Sequence, residues 1–495
     1  MSMQGVLSIS LTVTILILTY NQASAFNPFS PRTHSLAQHS TIAGISSPIC
    51  CSRCLVCGTD AMCSNRRSFL ARSAISSFGA LIASIFPNSA QAFLSEQTEW
   101  PLWPTFPLPP LFKRKTIRRE GGPGVWMFEQ VIGFFGYVWE PIRMTVLAMK
   151  AGGLFVYSGV APTRECLSLL QPLIDKHGPI KYIVLPSTAV EHKVPAIQLA
   201  HNFPLAEFYV TDMQYSLPVD LPAAFLLPKW TKKLPPSSKG LDMWCGEFEH
   251  EVLTIKTQQS LLQLFSFQEA TFVHKPSKTL LLCDTLQSIP AEPPPILTCE
   301  PEYVRALLFH ARDNPLEFVV DSPETRIKGW KRIALIGNFF FPGAGIFDFK
   351  FYPQTPMPEL GWNGACPFSW SESWMKTFET LRANGKPILF PLVQVTLSLE
   401  AEKTQRWVDC VSQWDFDRVV PAHFDAPLAL GPVQFAETFE YIRRGQNEVS
   451  ACDEDVQFVR ELLEAVPPFI VKLDSLDPTK FGPLRGHLCG AKAEL

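Results

Sequence analysis

Consecutive targeting signals fill the first 92 residues, and they limit the part of the chain that can fold to roughly 400 residues. An apolar run, Val6–Leu18, precedes Ala23-Ser24-Ala25, which has the small-x-small pattern of a signal-peptide cleavage site. A Ser- and Arg-rich stretch leads to the pair Arg66-Arg67, a twin-arginine signal, and then to the cleavage-like Ala90-Gln91-Ala92. All 12 Trp follow residue 92, so we expect the folded protein to begin near Phe93.

The junction at Ala25-Phe26 resembles the signal/transit boundary of plastid proteins in diatoms and related algae. A twin-arginine signal behind such a presequence implies delivery to the thylakoid lumen. We therefore expect a signal peptide at 1–25, a transit peptide at 26–64 and a lumen signal at 65–92, with the plastid stroma or secretion as alternatives. Neither Val6–Leu18 nor the second apolar run, Ala74–Phe86, reaches the ~20 residues needed to cross a bilayer, so we expect no transmembrane anchor in the mature chain.

The composition predicts a large packed core and excludes one class of partner. The chain is 46% hydrophobic and contains 37 Phe, enough to build such a core. Its net charge is −3 and it has no long basic block, which argues against a nucleic-acid partner. Five of the 13 Cys lie before residue 93 and the others are scattered singly, so their spacing does not reveal disulfide pairs.

Beyond the signals, alternating strand and helix patterns predict an α/β domain. A Pro-rich linker at 93–124 precedes the domain at 125–450, and an extension at 451–495 follows it. Residues of about 313–398 form a predicted insertion, whose aromatic-rich part, 336–374, shows no clear period. The predicted helices include Arg164–His177, which stops at Gly178, and Val194–His201. The predicted strands are Arg143–Met149, Leu154–Ser158, Tyr182–Leu185, Phe208–Val210, Val252–Ile255, Leu262–Phe267, Ala270–His274, Thr279–Leu282 and Arg418–Val420, and Gly152-Gly153 predicts a hairpin turn between the first two.

Polar residues follow three of these strands directly. Ser187 to His192 follow the strand that ends at Leu185, Cys283-Asp284 follow a second strand, and His423-Phe424-Asp425 follow a third. The ends of strands are where α/β sheets usually present their chemistry. We therefore expect the functional residues among these three segments.

On these segments the chain resembles the metallo-β-lactamase superfamily, which implies an αββα sandwich that binds metal at its strand ends. The superfamily's His-x-His-x-Asp-His loop falls on four residues: Ser187, Ala189, Glu191 and His192. Its later Gly-Asp falls on Cys283-Asp284 and its terminal His on His423. Its middle His has no counterpart, because the expected region, Leu264–Glu269, contains no His.

This pattern looks most like a degenerate branch, a domain-of-unknown-function family of plants, algae and cyanobacteria. The resemblance implies loss of the first metal position and a second position formed by Glu191, His192, Asp284 and His423, which suits one divalent ion, Zn²⁺, Mn²⁺ or Fe²⁺. Each residue also has a structural interpretation. Glu191 and His192 would be a surface pair and Asp284 a turn former, while His423 would hydrogen-bond Asp425. Asp425 would alternatively orient His423, and Glu269 offers a carboxylate near the missing His.

Two functions of different classes follow. The first is a metal-dependent hydrolase of a small molecule; the superfamily cleaves thioesters, lactams, lactones and phosphodiesters, so the substrate stays open. The second is a non-catalytic scaffold or assembly protein of the thylakoid lumen, which keeps the fold without metal and binds a protein partner. The Ser and Ala at positions 187 and 189 favour the second, because the His residues of the superfamily at those places help to hold the nucleophile.

Overall fold

The computed structural model of the protein describes residues 99–100, 112–134, 138–214, 227–256, 267–314, 316–340, 342–347, 368–440, 442 and 455. The targeting signals predicted for 1–92 lie outside the described residues. So does the predicted strand Leu262–Phe267 apart from its last residue, and so does the extension 451–495 apart from residue 455.

The secondary structure alternates between strands and helices. The strands in chain order are β1 (Glu99–Trp100), β2 (Phe112–Lys113), β3 (Ile117–Gly122), β4 (Val125–Phe134), β5 (Val138–Ala148), β6 (Leu154–Tyr157), β7 (Ile180–Leu185), β8 (Glu207–Val210), β9 (Lys232–Lys233), β10 (Phe248–Ile255), β11 (Phe267–His274), β12 (Thr279–Leu281), β13 (Leu286–Gln287), β14 (Gly345–Phe347), β15 (Phe368–Trp370), β16 (Ile388–Leu389) and β17 (Arg418–Val420). The α-helices are α1 (Arg164–His177), α2 (Val190–Asn202), α3 (Pro301–Ala311), α4 (Pro323–Phe339), α5 (Trp374–Arg382), α6 (Pro391–Ser398), α7 (Ala401–Val411) and α8 (Pro432–Thr438).

Two sheets form the centre of the fold. The larger sheet has the order β3-β4-β5-β6-β7-β8-β9; its first four strands are antiparallel and the strands from β6 onward are parallel. The smaller sheet has the order β10-β11-β12-β17, and its last pair is parallel. Three two-stranded pairs, β1-β2, β13-β16 and β14-β15, lie outside these sheets.

Local chemistry explains the helix that the sequence predicted best. The Thr163 side chain accepts a hydrogen bond from the Cys166 amide at the start of α1, and Glu165 lies in the first turn. At the other end, Gly178 has a φ of 98°, which ends the helix at a conformation that only glycine adopts readily. The predicted bounds of Arg164–His177 are therefore confirmed.

Helix α2 begins at Val190, four residues before the predicted start at Val194. Pro195 lies inside the helix, and its missing N–H makes the first turn hard to recognise from the sequence. The consequence is functional, because Glu191 and His192 belong to the first helical turn rather than to a loop.

The two sheets pack face to face through a shared apolar layer. Phe155 of β6 stacks on Phe248 of β10 with ring centroids 4.2 Å apart, and it contacts Phe272 of β11 at 5.3 Å. Val184 of β7 and Leu281 of β12 are buried in the same cluster. These contacts bury apolar surface from both sheets, and this burial is the main source of stability for a sandwich.

Helices cover the outer faces of both sheets. Helix α2 packs on β7, with Ala196 and Leu199 buried. On the smaller sheet, Leu253 and Leu280 pack against Trp407 of α7 and Phe435 of α8. The layer order is therefore helix, sheet, sheet, helix, and the predicted αββα sandwich is confirmed.

Two predictions need correction, one at the start of the domain and one inside the predicted insertion. Strand β3 belongs to the larger sheet, although the linker was predicted to continue to residue 124. Helix α4 runs to Phe339, into the stretch 336–374 for which no period was found. Residues 329, 330 and 332–339 of this helix are all buried, so its C-terminal half has no exposed polar face to give an amphipathic pattern. Across the described residues, every helix is too short or too polar to cross a membrane.

Candidate metal centre

Four side chains from three distant segments meet at one edge of the sandwich. Glu191 and His192 lie in the first turn of α2, Asp284 follows β12 and His423 follows β17. Each of the four offers a metal-ligating atom, and these atoms all lie within 4.8 Å of one another. The structure thus brings together the four residues that the resemblance implied.

The pairing of β12 with β17 explains why Asp284 and His423 meet. The strands are parallel neighbours with Leu281 opposite Val420, so their chains leave the sheet side by side. Asp284 and His423 each lie three residues beyond that pair, and the Ala422 amide donates to the Cys283 carbonyl at 3.3 Å. Sheet register therefore sets this part of the site.

The third segment comes from the other sheet and is tied across to β11. In the loop after β7, the Pro186 carbonyl accepts a hydrogen bond from the Ala270 amide at 2.7 Å. The Thr188 amide in the same loop donates to the Gln268 carbonyl at 3.1 Å. Ser187 and Glu269 form an isolated bridge between the two segments. These bonds hold the first turn of α2 beside the end of β12.

Three of the four ligating atoms form a close triangle. His192 Nε2 lies 3.0 Å from Asp284 Oδ1 and 3.1 Å from His423 Nε2, and the third side is 3.3 Å. Two nitrogen ligands of a tetrahedral zinc ion stand about 3.3 Å apart, given Zn–N bonds of about 2.0–2.1 Å. The triangle therefore has nearly the dimensions of three ligand corners. Glu191 is partly exposed and lies at the rim.

The remaining ring nitrogens of both imidazoles have partners. His423 Nδ1 lies 3.0 Å from the Pro141 carbonyl of β5; a carbonyl only accepts, so Nδ1 carries the hydrogen and Nε2 of the neutral ring points a lone pair into the cluster. His192 Nδ1 lies 2.8 Å from Ser158 Oγ. Such partners are characteristic of metal-binding histidines, whose ring orientation they fix.

Asp284 is held as a carboxylate. Its Oδ2 accepts a hydrogen bond from Ser187 Oγ at 2.6 Å. Burial alone would raise the pKa of Asp284, but the charge and hydrogen bond of His192, the largest of the opposing causes, outweigh burial and hold that pKa well below its usual range. For His192, burial alone would lower the pKa, but Asp284 outweighs it and the net pKa is raised.

Glu269 is not a member of the cluster but supports it. Its buried carboxylate accepts the amides of Cys283, Asp284 and Thr285 at 3.0, 2.7 and 2.9 Å, and the Thr285 hydroxyl at 2.7 Å. Burial and the charge of Asp284 raise the pKa of Glu269 to about 7, although these donors offset part of the rise. Glu269 therefore fixes the backbone that presents Asp284, a role different from the ligand role considered for it.

Ser187 stands where the superfamily has its first ligand, and its hydroxyl bonds Asp284 instead. The Ser187 hydroxyl also accepts the Ala189 amide at 3.0 Å. Asp425, considered as the residue that orients His423, makes a different contact: its amide donates to the Ser288 carbonyl, and Pro141 is the ring partner of His423. His274 is the last residue of β11 and lies outside the cluster, with its Nδ1 2.7 Å from Ser277 Oγ.

Sequence reasoning missed Ser158, Pro141 and a buried acid, Glu140. None of the described residues hydrogen-bonds Oε1 of Glu140, and burial together with the charge of Glu191 raises its pKa to about 8. Ser158 follows the end of β6, so the rule that strand ends carry chemistry would have found it. Pro141 and Glu140 lie inside β5, where the sequence gives no such signal.

Comparisons with known proteins give the family but no activity. A comparison with curated proteins found no match. Among solved structures, the metallo-β-lactamase DIM-1 exposed to ceftazidime is 12% identical and covers 66% of this chain and 97% of its own, with a TM-score of 0.32. The metallo-β-lactamase from Hirschia baltica is 10% identical, covering 66% and 98%, with a TM-score of 0.33. The metal-soaked flavodiiron core Flv1 from Synechocystis is 8% identical, covering 67% and 62%, with a TM-score of 0.33.

Likenesses this weak carry no argument about chemistry, and the layer order rests on the packing of this chain. A sequence model of one family, the Domain of unknown function (DUF4336), matches residues 123–441. That range contains all four residues of the cluster and every strand of the two sheets except β3, which ends at Gly122. Because the match spans more than half of the chain, this protein belongs to the DUF4336 family.

Proposed function

We propose that this protein is a metal-dependent hydrolase that holds one divalent ion, Zn²⁺, Mn²⁺ or Fe²⁺, through His192, His423, Asp284 and Glu191. The observation that carries the proposal is the triangle of two Nε2 atoms and one Oδ1, with sides of 3.0 to 3.3 Å. Two imidazoles and two carboxylates form a donor set that these ions accept. A fixed partner on each imidazole supports the same conclusion.

The chain's own residues have separable roles in this proposal. A bound ion supplies Lewis acidity, which polarises a substrate oxygen and acidifies water. His192, His423 and Asp284 hold it, and Ser187 and Glu269 keep Asp284 in position. Glu191 completes the ligand set from the partly exposed rim of the site.

One observation favours a second candidate, a scaffold that uses the same fold without metal. Ser187 and His192 already bind both oxygens of Asp284, so the cluster satisfies itself when His192 is protonated. The raised pKa of His192 is consistent with such an ion pair. In this case the site would stabilise the loops, and the partner would be a protein of the lumen.

Metal binding distinguishes the two candidates. We expect the purified protein to bind one Zn²⁺, Mn²⁺ or Fe²⁺ per chain by elemental analysis and titration, and we expect His192→Ala and His423→Ala to lose it. His201→Ala is the matched control, because His201 lies on the same helix α2 but is exposed. A wild-type chain that stays empty at millimolar metal would eliminate the hydrolase and leave the scaffold.

We also propose that the protein acts in the thylakoid lumen after loss of residues 1–92, with the stroma or secretion as alternatives. Only the sequence pattern of those residues supports this location. Mass spectrometry of the N-terminus of protein isolated from plastids tests it. We expect a start near Phe93, and a start near Phe26 would contradict the twin-arginine signal.

A further inference from the structure

A buried arginine donates hydrogen bonds to the turn that carries His423. Arg143 of β5 is 1% exposed, and its guanidinium donates to the carbonyls of Pro421 and Phe424 at 2.5 Å each and to the carbonyl of His423 at 3.4 Å. The turn follows β17, so Arg143 joins the larger sheet to the end of the smaller one. One side chain thereby fixes the backbone on both sides of a proposed ligand.

A carboxylate on the neighbouring strand orients this guanidinium. Glu129 of β4 is also 1% exposed, and its Oε1 accepts Arg143 Nε at 3.0 Å and Nη2 at 2.8 Å. Arg119 of β3 donates to the same carboxylate and, at 3.2 Å, to the Ala426 carbonyl further along the turn. All three nitrogens of the planar Arg143 guanidinium donate hydrogen bonds. The ammonium group of lysine cannot reproduce this planar arrangement of donors.

The same strand also holds the ring of His423. The Pro141 carbonyl accepts Nδ1 of His423 at 3.0 Å, and Ile142 forms a backbone bridge with His423. Arg143, the next residue, holds the turn itself. Three consecutive residues of β5 therefore set both the position of His423 and the rotation of its imidazole.

We propose that the Arg143–Glu129 pair is a positioning device for the metal centre and sets how tightly His423 binds the ion. This inference rests on the proposed metal function. It follows from geometry, because the two Nε2 atoms stand 3.1 Å apart only while the 421–424 turn keeps its place against β5. Residues that orient metal ligands typically contribute 10–100-fold to metal affinity.

The chain offers a matched control in Arg332 of α4. Arg332 is also 1% exposed and donates to three successive carbonyls, those of His310, Ala311 and Arg312. Its partners lie at the end of α3 and contain no member of the cluster. Arg143→Lys and Arg332→Lys thus break the same kind of contact, one at the centre and one elsewhere.

The experiment titrates Co²⁺ as a spectroscopic probe into the full chain and its variants, with affinity measured against a chelator. We expect Arg143→Lys and Glu129→Gln to weaken Co²⁺ binding by about 10–100-fold and to shift the visible absorption band, while Arg332→Lys leaves both unchanged. Unfolding curves of all three variants show whether each is folded. If Arg143→Lys does not fold, Glu129→Gln tests the same pair.

Two outcomes overturn different claims. If the wild type binds Co²⁺ and folded Arg143→Lys or Glu129→Gln binds it with the same affinity and spectrum, the positioning role is wrong and the metal function stands. If the wild type binds no metal, the proposed function fails and this inference fails with it.

Discussion

Ser158 shows how a single hydroxyl can matter to the proposed centre. It is buried, has a φ of 57° just after β6, and lies 2.8 Å from Nδ1 of His192. When His192 offers its Nε2 lone pair to an ion, Nδ1 carries the hydrogen and donates it to Ser158. The hydroxyl can accept that hydrogen, and so it supports the tautomer that a metal requires.

We expect Ser158→Ala to weaken Zn²⁺ affinity about 10–100-fold, because His192 loses the partner that fixes its ring. Competition with a chelator measures the change. Ser238→Ala is the control, since Ser238 is a buried serine whose hydroxyl accepts the His250 amide at 2.8 Å, away from the cluster. Equal affinities of Ser158→Ala and wild type would contradict the role of Ser158.

At the scale of elements, the contact between α4 and β5 depends on a glycine. Helix α4 packs on β5, and a Cβ on Gly337 would lie 1.3 Å from Oε1 of Glu140. The carboxyl group of Glu140 thus occupies the space that any side chain at 337 would need. In a helix, glycine otherwise costs about 1 kcal/mol relative to alanine. The packing against Glu140 therefore decides whether a substitution of Gly337 stabilises or destabilises the protein.

We expect Gly337→Ala to lower the free energy of unfolding by about 1–3 kcal/mol, because the new methyl group overpacks the contact. In the background Glu140→Ala, which removes the obstructing carboxyl, the same change should be neutral or stabilising. Denaturant unfolding of the four proteins in this cycle gives the coupling between the two positions. Additive effects would mean that the helix shifts freely, against the close packing described above.

For the whole molecule, two buried histidines link stability to pH. Burial lowers the pKa of His250 and of His274 to about 4, although the Pro235 carbonyl and Glu247 respectively offset part of the fall. The folded state therefore disfavours their protonation, and stability is lost as the pH falls from about 6.5 through 4. The pKa values of Glu140 and Glu269 are raised to about 8 and about 7, so the folded state favours their protonation and stability rises as the pH falls below these values. Single variants are therefore needed to separate the effects.

We expect His250→Gln to remove about 3 kcal/mol of the stability loss between pH 7 and pH 4, since one pKa unit corresponds to 1.36 kcal/mol. Glutamine can keep both contacts of His250, with Trp244 Nε1 and the Pro235 carbonyl. The measurement is the free energy of unfolding of both proteins at several pH values. Parallel pH curves would show that His250 does not titrate between these pH values.

The sequence determined the strands that lead to the site, the first helix and which residues follow those strand ends. Thr163 and Gly178 marked the bounds of α1, and apolar runs marked β7, β12 and β17. These signals are local, because a cap or a buried strand is specified by neighbours along the chain. With the resemblance, they were enough to name Glu191, His192, Asp284 and His423.

Only the tertiary structure decided what surrounds those residues. Arg143, Glu140 and Pro141 lie within one strand, yet their partners are up to 282 residues away, and no spacing encodes such pairs. Helix α4 was missed for a different reason, since burial of residues 329, 330 and 332–339 leaves its C-terminal half without an exposed polar face. Convergence depends on sheet register and on two sheets packing, and these are set by apolar burial over the whole sandwich rather than by any local pattern.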